Sequence, residues 1–412
     1  METGVQASVA IARSPARSAL LRPQVAAYAA LFLLYSNLLG IAVSHHGVPR
    51  SLAGALPLLL LAWPAGVEIL RTRRLVLQPA FFLVALFLAV QTISAAFSRD
   101  PEVSLRAVRD SLLEGVLLYL FVTNAIRTPS AVRGATWALL LAAAPMALAP
   151  LHQQVTGSFN RDYGGLAQVE GTGFRTGEVR GGSEVVQRRL GGPIGEKNRY
   201  AQVMLMLLPL GLFRFWGERS RTLRLAALGA TALSLVGFGL GFSRGGAAGL
   251  VVLLAAMVVL RIVDVRRLVL VIGVVGLLFV AMPQYWNRIA TSGSAAGFLT
   301  GEAGRTSEVD GAMAGRVTEM LAAGYVFADH PVIGVGPGMF RHYSQRYGNR
   351  LGIRRLEEGR RAHSLYLELA AETGALGLLA FLGAVGVTLL GLDRVRRGLA
   401  GEDPEISRTA TA

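Results

Sequence analysis

The chain has 412 residues, of which 52% are hydrophobic and only 16% are charged. Soluble globular domains carry roughly 25% charged residues, so this composition excludes a cytosolic enzyme, a disordered tail and a secreted disulfide scaffold. The absence of cysteine also excludes thiol catalysis and cysteine-ligated metals. The net charge of +15 comes from arginine, because Lys197 is the single lysine. An integral membrane protein is therefore predicted.

Ten apolar segments predict an all-α fold, a polytopic transmembrane helix bundle. A helix needs roughly 20 predominantly apolar residues to cross a bilayer. The weakest segment is 104–126, because Arg106, Arg109, Asp110 and Glu114 lie in its first half. Arg106, Asp110 and Glu114 follow each other at intervals of four residues, so they share one helix face and can partly neutralise each other. The predicted crossings are 26–44, 51–70, 78–97, 104–126, 134–152, 200–215, 225–242, 246–262, 268–282 and 375–392.

The arginines between these segments predict the orientation of the bundle. Short cytoplasmic loops are enriched in Lys and Arg, and every second connection here is arginine-rich, whereas the loops 45–50 and 243–245 carry one arginine each. Both termini are therefore predicted to be cytoplasmic. The basic N-terminus lacks a convincing cleavage site, so we expect a retained first helix. The arginines assigned to the inner side are Arg13, Arg17, Arg22, Arg71, Arg73, Arg74, Arg127, Arg133, Arg214, Arg219, Arg221, Arg224, Arg261, Arg266, Arg267, Arg394, Arg396 and Arg397.

Two long segments are predicted on the outer side, because long segments cross largely regardless of charge. The first is glycine-rich and lacks periodicity, so we expect a long irregular loop, a kind that is usually functional or mobile. The second is predicted to be mostly helical after a flexible stretch at 291–306. The chain thus divides into N-terminal transmembrane helices (1–152), an outer loop (153–199), central transmembrane helices (200–282), a large outer segment (283–362), and an interfacial helix, last crossing and cytoplasmic tail (363–412).

The large outer segment predicts three local features. An amphipathic helix is expected over 311–327, and Pro331 is expected to end it. Residues 330–340 then predict a rigid glycine-rich turn. Residues 363–372 predict an interfacial helix, broken at Thr373 and Gly374 before the last crossing. The apolar positions that approximate helical spacing in the first helix are Met313, Val317, Met320, Leu321 and Tyr325.

His363 is the first residue suited to chemistry. It lies where the outer segment re-enters the bilayer, with Glu368 and Glu372 one turn apart on the next helix. A histidine can accept a proton near neutral pH, which an attacking sugar hydroxyl requires. An interfacial histidine with one structural hydrogen bond explains the same position. From position alone, equally plausible histidines are His45, His46, His152, His330 and His342.

Arginines near the outer loops are the other candidates. Arg244 lies at an outer helix end, where it opposes the positive-inside preference and is costly unless paired, although a topological anchor is the alternative. The following helix N-terminus attracts anions, and Arg316 lies on the predicted outer helix. A basic group around the turn 191–195 suits a diphosphate, although a solvated loop explains it almost as well. The residues assigned to diphosphate or glycan binding are Arg188, Arg189, Lys197, Asn198, Arg199 and Arg361. No metal-ligand spacing, Walker loop or dinucleotide fingerprint is found.

In their order along the chain, these motifs resemble the O-antigen ligase and polymerase superfamily of bacterial inner membranes. The resemblance covers roughly residues 190–392, and it implies twelve crossings where ten are counted. Asn198 and Tyr200 match a glycine, asparagine and aromatic motif that precedes a crossing in that family. The other resembling stretches are 243–245, 316–340, 363–368 and 372–374.

Within the superfamily the chain looks most like the lipopolysaccharide O-antigen ligase. The resemblance implies a metal-independent, inverting, cofactor-free transfer of a glycan from undecaprenyl pyrophosphate to lipid A–core oligosaccharide, on the periplasmic side of the inner membrane. It makes Arg244 and Arg316 diphosphate binders and His363 the general base or an acceptor-positioning residue. The expected partners are these two glycolipids and the membrane lipids, with no nucleic acid.

Three other functions remain open. An O-antigen polymerase uses the same donor with a growing glycan as acceptor, and its Arg, ten residues, Gly motif fits at Arg180 to Gly191 and Arg341 to Gly352. The abundance of glycine produces such matches by chance. A protein O-oligosaccharyltransferase of the same superfamily transfers the glycan to a protein. A lipid-linked glycan transporter is disfavoured, because it calls for internal repeats that are not visible.

Overall fold

The structure is a computed structural model, and its helix-dominated architecture confirms that part of the predicted fold class. The predicted basic N-terminus (residues 1–22), the flexible stretch 291–306 and the tail after Gly398 lie outside the described residues. The structure describes residues 23–171, 173–180, 183–260, 263–282, 284, 308–353, 356–357 and 359–398.

The helices follow the predicted apolar segments closely. In the first part of the chain they are α1 (Pro23–Tyr35), α2 (Leu38–His46), α3 (Arg50–Thr72), α4 (Pro79–Ala96), α5 (Pro101–Asp110), a π-helix (Ser111–Leu117), α6 (Leu118–Ala125), α7 (Pro129–Leu141) and α8 (Ala143–Thr156). In the second part they are α9 (Lys197–Gly217), α10 (Arg221–Leu240), α11 (Arg244–Val259), α12 (Val265–Ala281), α13 (Glu308–Asp329), α14 (Phe340–Leu351) and α15 (Leu365–Gly398).

Six helices in the described residues are long and apolar enough to cross a membrane, and α1 with α2 forms a seventh if this pair, bent by 58°, is one span. The six are α3, α4, the joined α7 and α8, α9, α10 and α15. With 16 and 17 residues, α11 and α12 are shorter than the roughly 20 that a bilayer requires. The predicted crossing 104–126 is divided among α5, the π-helix and α6. The count of ten crossings is therefore not confirmed.

Segment 153–199 contains paired strands, so the predicted irregular loop is wrong for part of it. β1 (Gln168–Val169) pairs antiparallel with β4 (Leu190–Gly192), and β2 (Phe174–Arg180) pairs antiparallel with β3 (Ser183–Gln187). The many glycines hid the strands in the sequence, because glycine has no side chain to show the alternating pattern of a strand. Glycine near a strand instead marks a place where another backbone segment approaches closely. At Gly173, a Cβ atom would lie 2.3 Å from the carbonyl oxygen of Gln187.

Helix α13 extends the predicted helix 311–327, but it buries a different face. Met320, Leu321 and Tyr325, which mark the apolar stripe in the sequence, are exposed. Small side chains let helices approach closely within a membrane protein, and α13 packs its small-residue side against α14 and α15. The buried residues on that side are Thr318, Glu319, Ala322, Ala323 and Val326.

Helix α15 is broken at Gly374, whose backbone has φ 65° and ψ −167°. This confirms the break expected at Thr373 and Gly374. The turn that follows Pro331 packs against the break, since the Ala375 N–H donates to the Pro331 carbonyl at 2.7 Å. A Cβ on Gly374 would lie 2.2 Å from the carbonyl carbon of Val332. Glycine is therefore required where the turn touches the broken helix.

The principal core cluster lies between α8, α9, α10 and α11, directly beneath the N-terminus of α9. Tyr200 is fully buried there and donates a hydrogen bond of 2.8 Å from its hydroxyl to the carbonyl of Met146. Met204 and Phe238 fill the surrounding space. This packing fixes the N-terminus of α9 and the C-terminus of α10, the two ends that bear the functional site.

Candidate functional site

A buried arginine joins three distant segments of the chain at the N-terminal end of α9. The side chain of Arg189 donates from Nε to the Gly241 carbonyl at 3.2 Å and from a terminal nitrogen to Asn198 Oδ1 at 3.1 Å. The hydroxyl of Ser243 donates to the same oxygen at 3.0 Å. Arg189 is only 7% exposed, so these bonds lie largely out of solvent. The network fixes the turn that precedes α11.

Ser243 is also the N-cap of α11, because its hydroxyl oxygen accepts the Gly246 N–H at 3.1 Å. The cap places Arg244 at the first position of the helix, where its side chain is half-buried. A helix N-terminus has partial positive charge and disfavours a cation there, whereas it attracts an anion. The position of Arg244 therefore suits an anionic ligand.

Arg316 lies on α13, close enough for its positive charge to act on Arg244. Its side chain is exposed, whereas Arg244 is half-buried. Two nearby like charges repel each other, and the repulsion is relieved when an anion lies between them. The structure therefore brings together the two arginines that the sequence assigned to a diphosphate.

The imidazole of His363 contacts a buried acid, Glu319, that was not predicted from the sequence. Its Nε2 lies 3.3 Å from Oε2 of Glu319, whose side chain is only 3% exposed. Nε of Arg360 lies 3.8 Å from the other carboxylate oxygen. Glu319 follows Arg316 by three residues, so both lie on neighbouring positions of one helix surface. The third predicted catalytic residue is thus connected to the arginine pair through α13.

The backbone of His363 has φ 50°, in the left-handed region. Few residues other than glycine adopt this region, although histidine is among the enriched exceptions, and such positions cluster at functional sites. The preceding residue is held firmly, since Ala362 is fully buried and its N–H donates to Glu368 Oε2 at 3.1 Å. The imidazole, which is 47% exposed, is therefore presented to solvent from a fixed backbone.

The remaining predicted binding residues differ in how exposed they are. Lys197 donates from Nζ to Oε1 of Glu170 at 2.9 Å and from its backbone N–H to Oε2 at 2.8 Å. Burial alone would raise the pKa of Glu170, but the hydrogen bonds and charge of Lys197 bring that pKa below its ordinary value. Arg188 is half-buried and Arg199 is exposed. Lys197 thus holds the loop, while Arg199 faces outward.

Arg361 is also paired, since its guanidinium donates two hydrogen bonds, of 3.0 and 2.9 Å, to Oε1 of Glu368.

Within the described residues, no group of three or more acidic or histidine side chains is arranged to hold a metal ion. Glu319, Glu170 and Arg360 are the site residues that sequence reasoning missed. An acid inside the small-residue stripe of α13 was the signal available for Glu319.

Fold and site together define a multi-pass helical membrane protein with a cationic site, built where α9 and α11 begin and α13 approaches them. Residues 200–382 match the protein family described as O-Antigen ligase. The match covers less than half of the chain, yet it includes Arg244, Arg316 and His363. This match supports membership of the O-antigen ligase and polymerase superfamily, whose members are generally enzymes of glycosyl transfer. No curated protein matches the chain.

Proposed function

We propose that the protein is an O-antigen ligase, which moves a glycan from undecaprenyl pyrophosphate to lipid A–core oligosaccharide in lipopolysaccharide biosynthesis. The observation that supports this most is the grouping of Arg244, Arg316 and His363 within the family-matched residues. A transfer from a diphosphate needs cations at the leaving group and a proton acceptor at the attacking hydroxyl. The proposed reaction is inverting and requires neither a metal nor a cofactor.

The donor diphosphate lies against Arg244 and Arg316 in this proposal. Their mutual repulsion is relieved when the anion binds, and their charges stabilise the negative charge that develops as the glycosidic C–O bond breaks. Arg188 and Arg199 reach the diphosphate or the first sugar. Arg189, Lys197 and Asn198 act mainly by holding the loop and the α11 cap in place.

The acceptor hydroxyl approaches the anomeric carbon on the side opposite to the diphosphate. His363 takes the hydroxyl proton while the oxygen forms the new C–O bond, and undecaprenyl pyrophosphate leaves with the electron pair of the broken bond. Glu319, 3.3 Å from the imidazole, stabilises the imidazolium that results. The product is the glycan joined to lipid A–core with inverted configuration.

Both substrates are lipids, so the proposed reaction occurs at a membrane surface. We propose the periplasmic face of the inner membrane as that surface, and the arginine distribution supports the cytoplasmic position of both termini that this requires. The donor is already activated, and no ATP is needed. The proposed partners are undecaprenyl-pyrophosphate-linked O-antigen, lipid A–core oligosaccharide and membrane lipids.

The acceptor is what separates a ligase from the related enzymes of the superfamily. A polymerase would transfer the glycan to another lipid-linked glycan, and a protein O-oligosaccharyltransferase would transfer it to a protein side chain. All three reactions have the same leaving group. The arginine pair and the histidine therefore serve each of them equally, and the test must vary the acceptor.

The test uses purified protein in lipid nanodiscs, with undecaprenyl-pyrophosphate glycan and lipid A–core, in chelator and without ATP. Wild type is compared with Arg244→Ala, Arg316→Ala and His363→Ala by gel analysis of glycan-modified lipid A–core. The matched control is Arg346→Ala, an exposed arginine on the neighbouring helix α14. We expect product from wild type and the control, and a loss of at least about a hundredfold in the three variants.

Two results contradict the ligase proposal. Lengthening of the donor glycan without modified lipid A–core would identify a polymerase, and glycan on an added acceptor protein would identify a protein transferase. Activity that is lost in chelator and restored by a divalent cation would contradict the metal-free mechanism.

A further inference from the structure

A cavity of about 440 Å³ lies among α4, the end of α5, the π-helix, the turn before α14 and the first part of α15. Its volume falls within the roughly 300–1,000 Å³ of small-ligand sites. It is separate from the arginine pair, since neither Arg244 nor Arg316 lines it. Polar side chains that line the cavity include Gln91, Asp110, Glu114, Arg341, Glu368 and Glu372.

The cavity has a balance of charge unlike that of the arginine pair. Asp110 pairs with Arg109 at 3.0 Å, and Glu368 pairs with Arg361 at 2.9 Å. Glu114 and Glu372 add two further carboxylates, with Arg341 as the additional lining cation. The walls are therefore neutral to acidic and rich in hydrogen-bond acceptors. Such walls disfavour a diphosphate and favour a ligand with many hydrogen-bond donors.

Gln91 gives an independent indication of a ligand. The residue is only 6% exposed, and its side chain lines the cavity. Its Oε1 is buried without a hydrogen-bond partner among the described residues. A buried acceptor that is left unsatisfied costs free energy, so the site calls for a donor such as a hydroxyl or an amide.

The π-helix shapes the acidic wall. It contributes Ser111, Glu114 and Gly115 to the lining, directly after Asp110 at the end of α5. Short π-helical segments are uncommon and occur frequently at functional sites. The π-helix and the two acids, Asp110 and Glu114, therefore lie in the same part of the cavity wall.

We propose that this cavity binds a sugar of the acceptor glycan, an inference that rests on the proposed function. Sugar hydroxyls donate to the carboxylates and to Gln91 Oε1, while Arg341 donates to ring and hydroxyl oxygens. The cavity lies close to the proposed base along the chain, because Arg361 lines it and His363 follows two residues later, within about 7 Å along the backbone. The acceptor is held on the acidic side and the donor on the arginine side.

The test measures binding and kinetics separately. Binding of the water-soluble oligosaccharide released from lipid A–core is followed by calorimetry with protein in nanodiscs, and KM is measured for full-length lipid A–core and for the donor. The variants are Glu114→Gln, Asp110→Asn and Gln91→Leu. The matched control is Glu102→Gln, an acid on α5 that is 83% exposed and pairs with Arg106. Thermal unfolding of every variant confirms that it is folded.

We expect the three cavity variants to weaken oligosaccharide binding and raise the KM for lipid A–core by roughly tenfold to a hundredfold. The KM for the donor and the control variant should stay at wild-type values. The inference is overturned if wild type transfers glycan and the cavity variants bind the oligosaccharide with the same affinity as wild type. If wild type makes no product but binds the oligosaccharide through Glu114 and Gln91, the cavity assignment stands and the ligase proposal fails.

Discussion

The imidazole of His363 lies 3.3 Å from the carboxylate of Glu319, three residues beyond Arg316 on α13. One helix therefore carries both the arginine that we propose to bind the diphosphate and the acid that contacts the proposed base. Because Glu319 is buried and also contacts Arg360, its position is fixed before substrate arrives. Prior orientation of this kind lowers the cost of reaching the transition state.

Glu319→Gln tests this arrangement while keeping the side-chain volume. The neutral amide no longer stabilises a protonated His363, so we expect kcat to fall about tenfold or more, within the ~100–10,000-fold that general base catalysis contributes. The KM for the donor should change little, because Glu319 does not face the diphosphate in the proposal. Steady-state kinetics with varied donor concentration measures both constants.

The control for that experiment is Glu357→Gln. Glu357 pairs with the same Arg360 at 3.1 Å but is 83% exposed, so its replacement should leave kcat unchanged. Equal kcat values for Glu319→Gln and wild type would show that the acid has no part in the reaction and that its contact with His363 is only structural.

Arg316→Gln should affect the ligand-free and the ligand-bound protein in opposite directions. Removing the repulsion on Arg244 raises the stability of the free protein slightly, by about 0.2–1 kcal/mol, because Arg316 is exposed. The same change weakens diphosphate binding. A donor at 100 times its Kd stabilises a protein by about 2.7 kcal/mol, and we expect most of this gain to be lost in the variant.

Thermal unfolding in nanodiscs, with and without undecaprenyl pyrophosphate, measures both effects of Arg316→Gln. Arg346→Gln on α14 is the matched control and should keep the full ligand-dependent rise in Tm. If undecaprenyl pyrophosphate stabilises Arg316→Gln as strongly as wild type, the assignment of Arg316 to the diphosphate is contradicted.

The sequence predicted the helices well, since long apolar runs have a direct physical meaning. It also predicted the break at Gly374 and the rigid turn after Pro331. The number of crossings is not confirmed in the same way, because α11 and α12 have only 16 and 17 residues, about the length of their predicted segments and shorter than a full span. Helix length depends on packing and end contacts that composition does not encode.

The site residues show the same division. Arg244 and His363 were selected from their positions at predicted membrane boundaries and Arg316 from the predicted outer helix. The structure places Arg316 near Arg244 and joins His363 to the same helix through Glu319. Glu319 and Gln91 were missed, because a buried acid or amide on a helix has meaning only when its three-dimensional neighbours are known. The apolar stripe of α13 was misleading for a related reason, because the face that packs against α14 and α15 is set by the tertiary fold and not by apolar spacing alone.

Gly374→Ala tests whether the break in α15 positions the site. The residue has φ 65° and ψ −167°, a region essentially restricted to glycine, where alanine is unfavourable by about 1–3 kcal/mol, and its Cβ would lie 2.2 Å from the Val332 carbonyl carbon. We expect a clear fall in Tm and a loss of transfer activity. Gly386→Ala in the same helix, where a Cβ meets no atom within 4 Å, should be neutral or slightly stabilising. A fully active Gly374→Ala protein contradicts the requirement for this contact.

Glu170 gives a prediction for pH, because hydrogen bonds from Lys197 outweigh the effect of burial and lower its pKa. A carboxyl group with a lowered pKa stabilises the folded state above its ordinary pKa, near 4.3, and the stabilisation is lost as the pH falls through the lower folded value. Glu170→Gln should therefore reduce Tm relative to wild type at pH 7. The effect is modest, about 1 kcal/mol or less, since the side chain is 36% exposed. Melting curves from pH 7 to pH 3 should show the gap closing only below about pH 4.3. A gap of constant size down to pH 3 would mean that the charge of Glu170 does not contribute to holding the loop before α9.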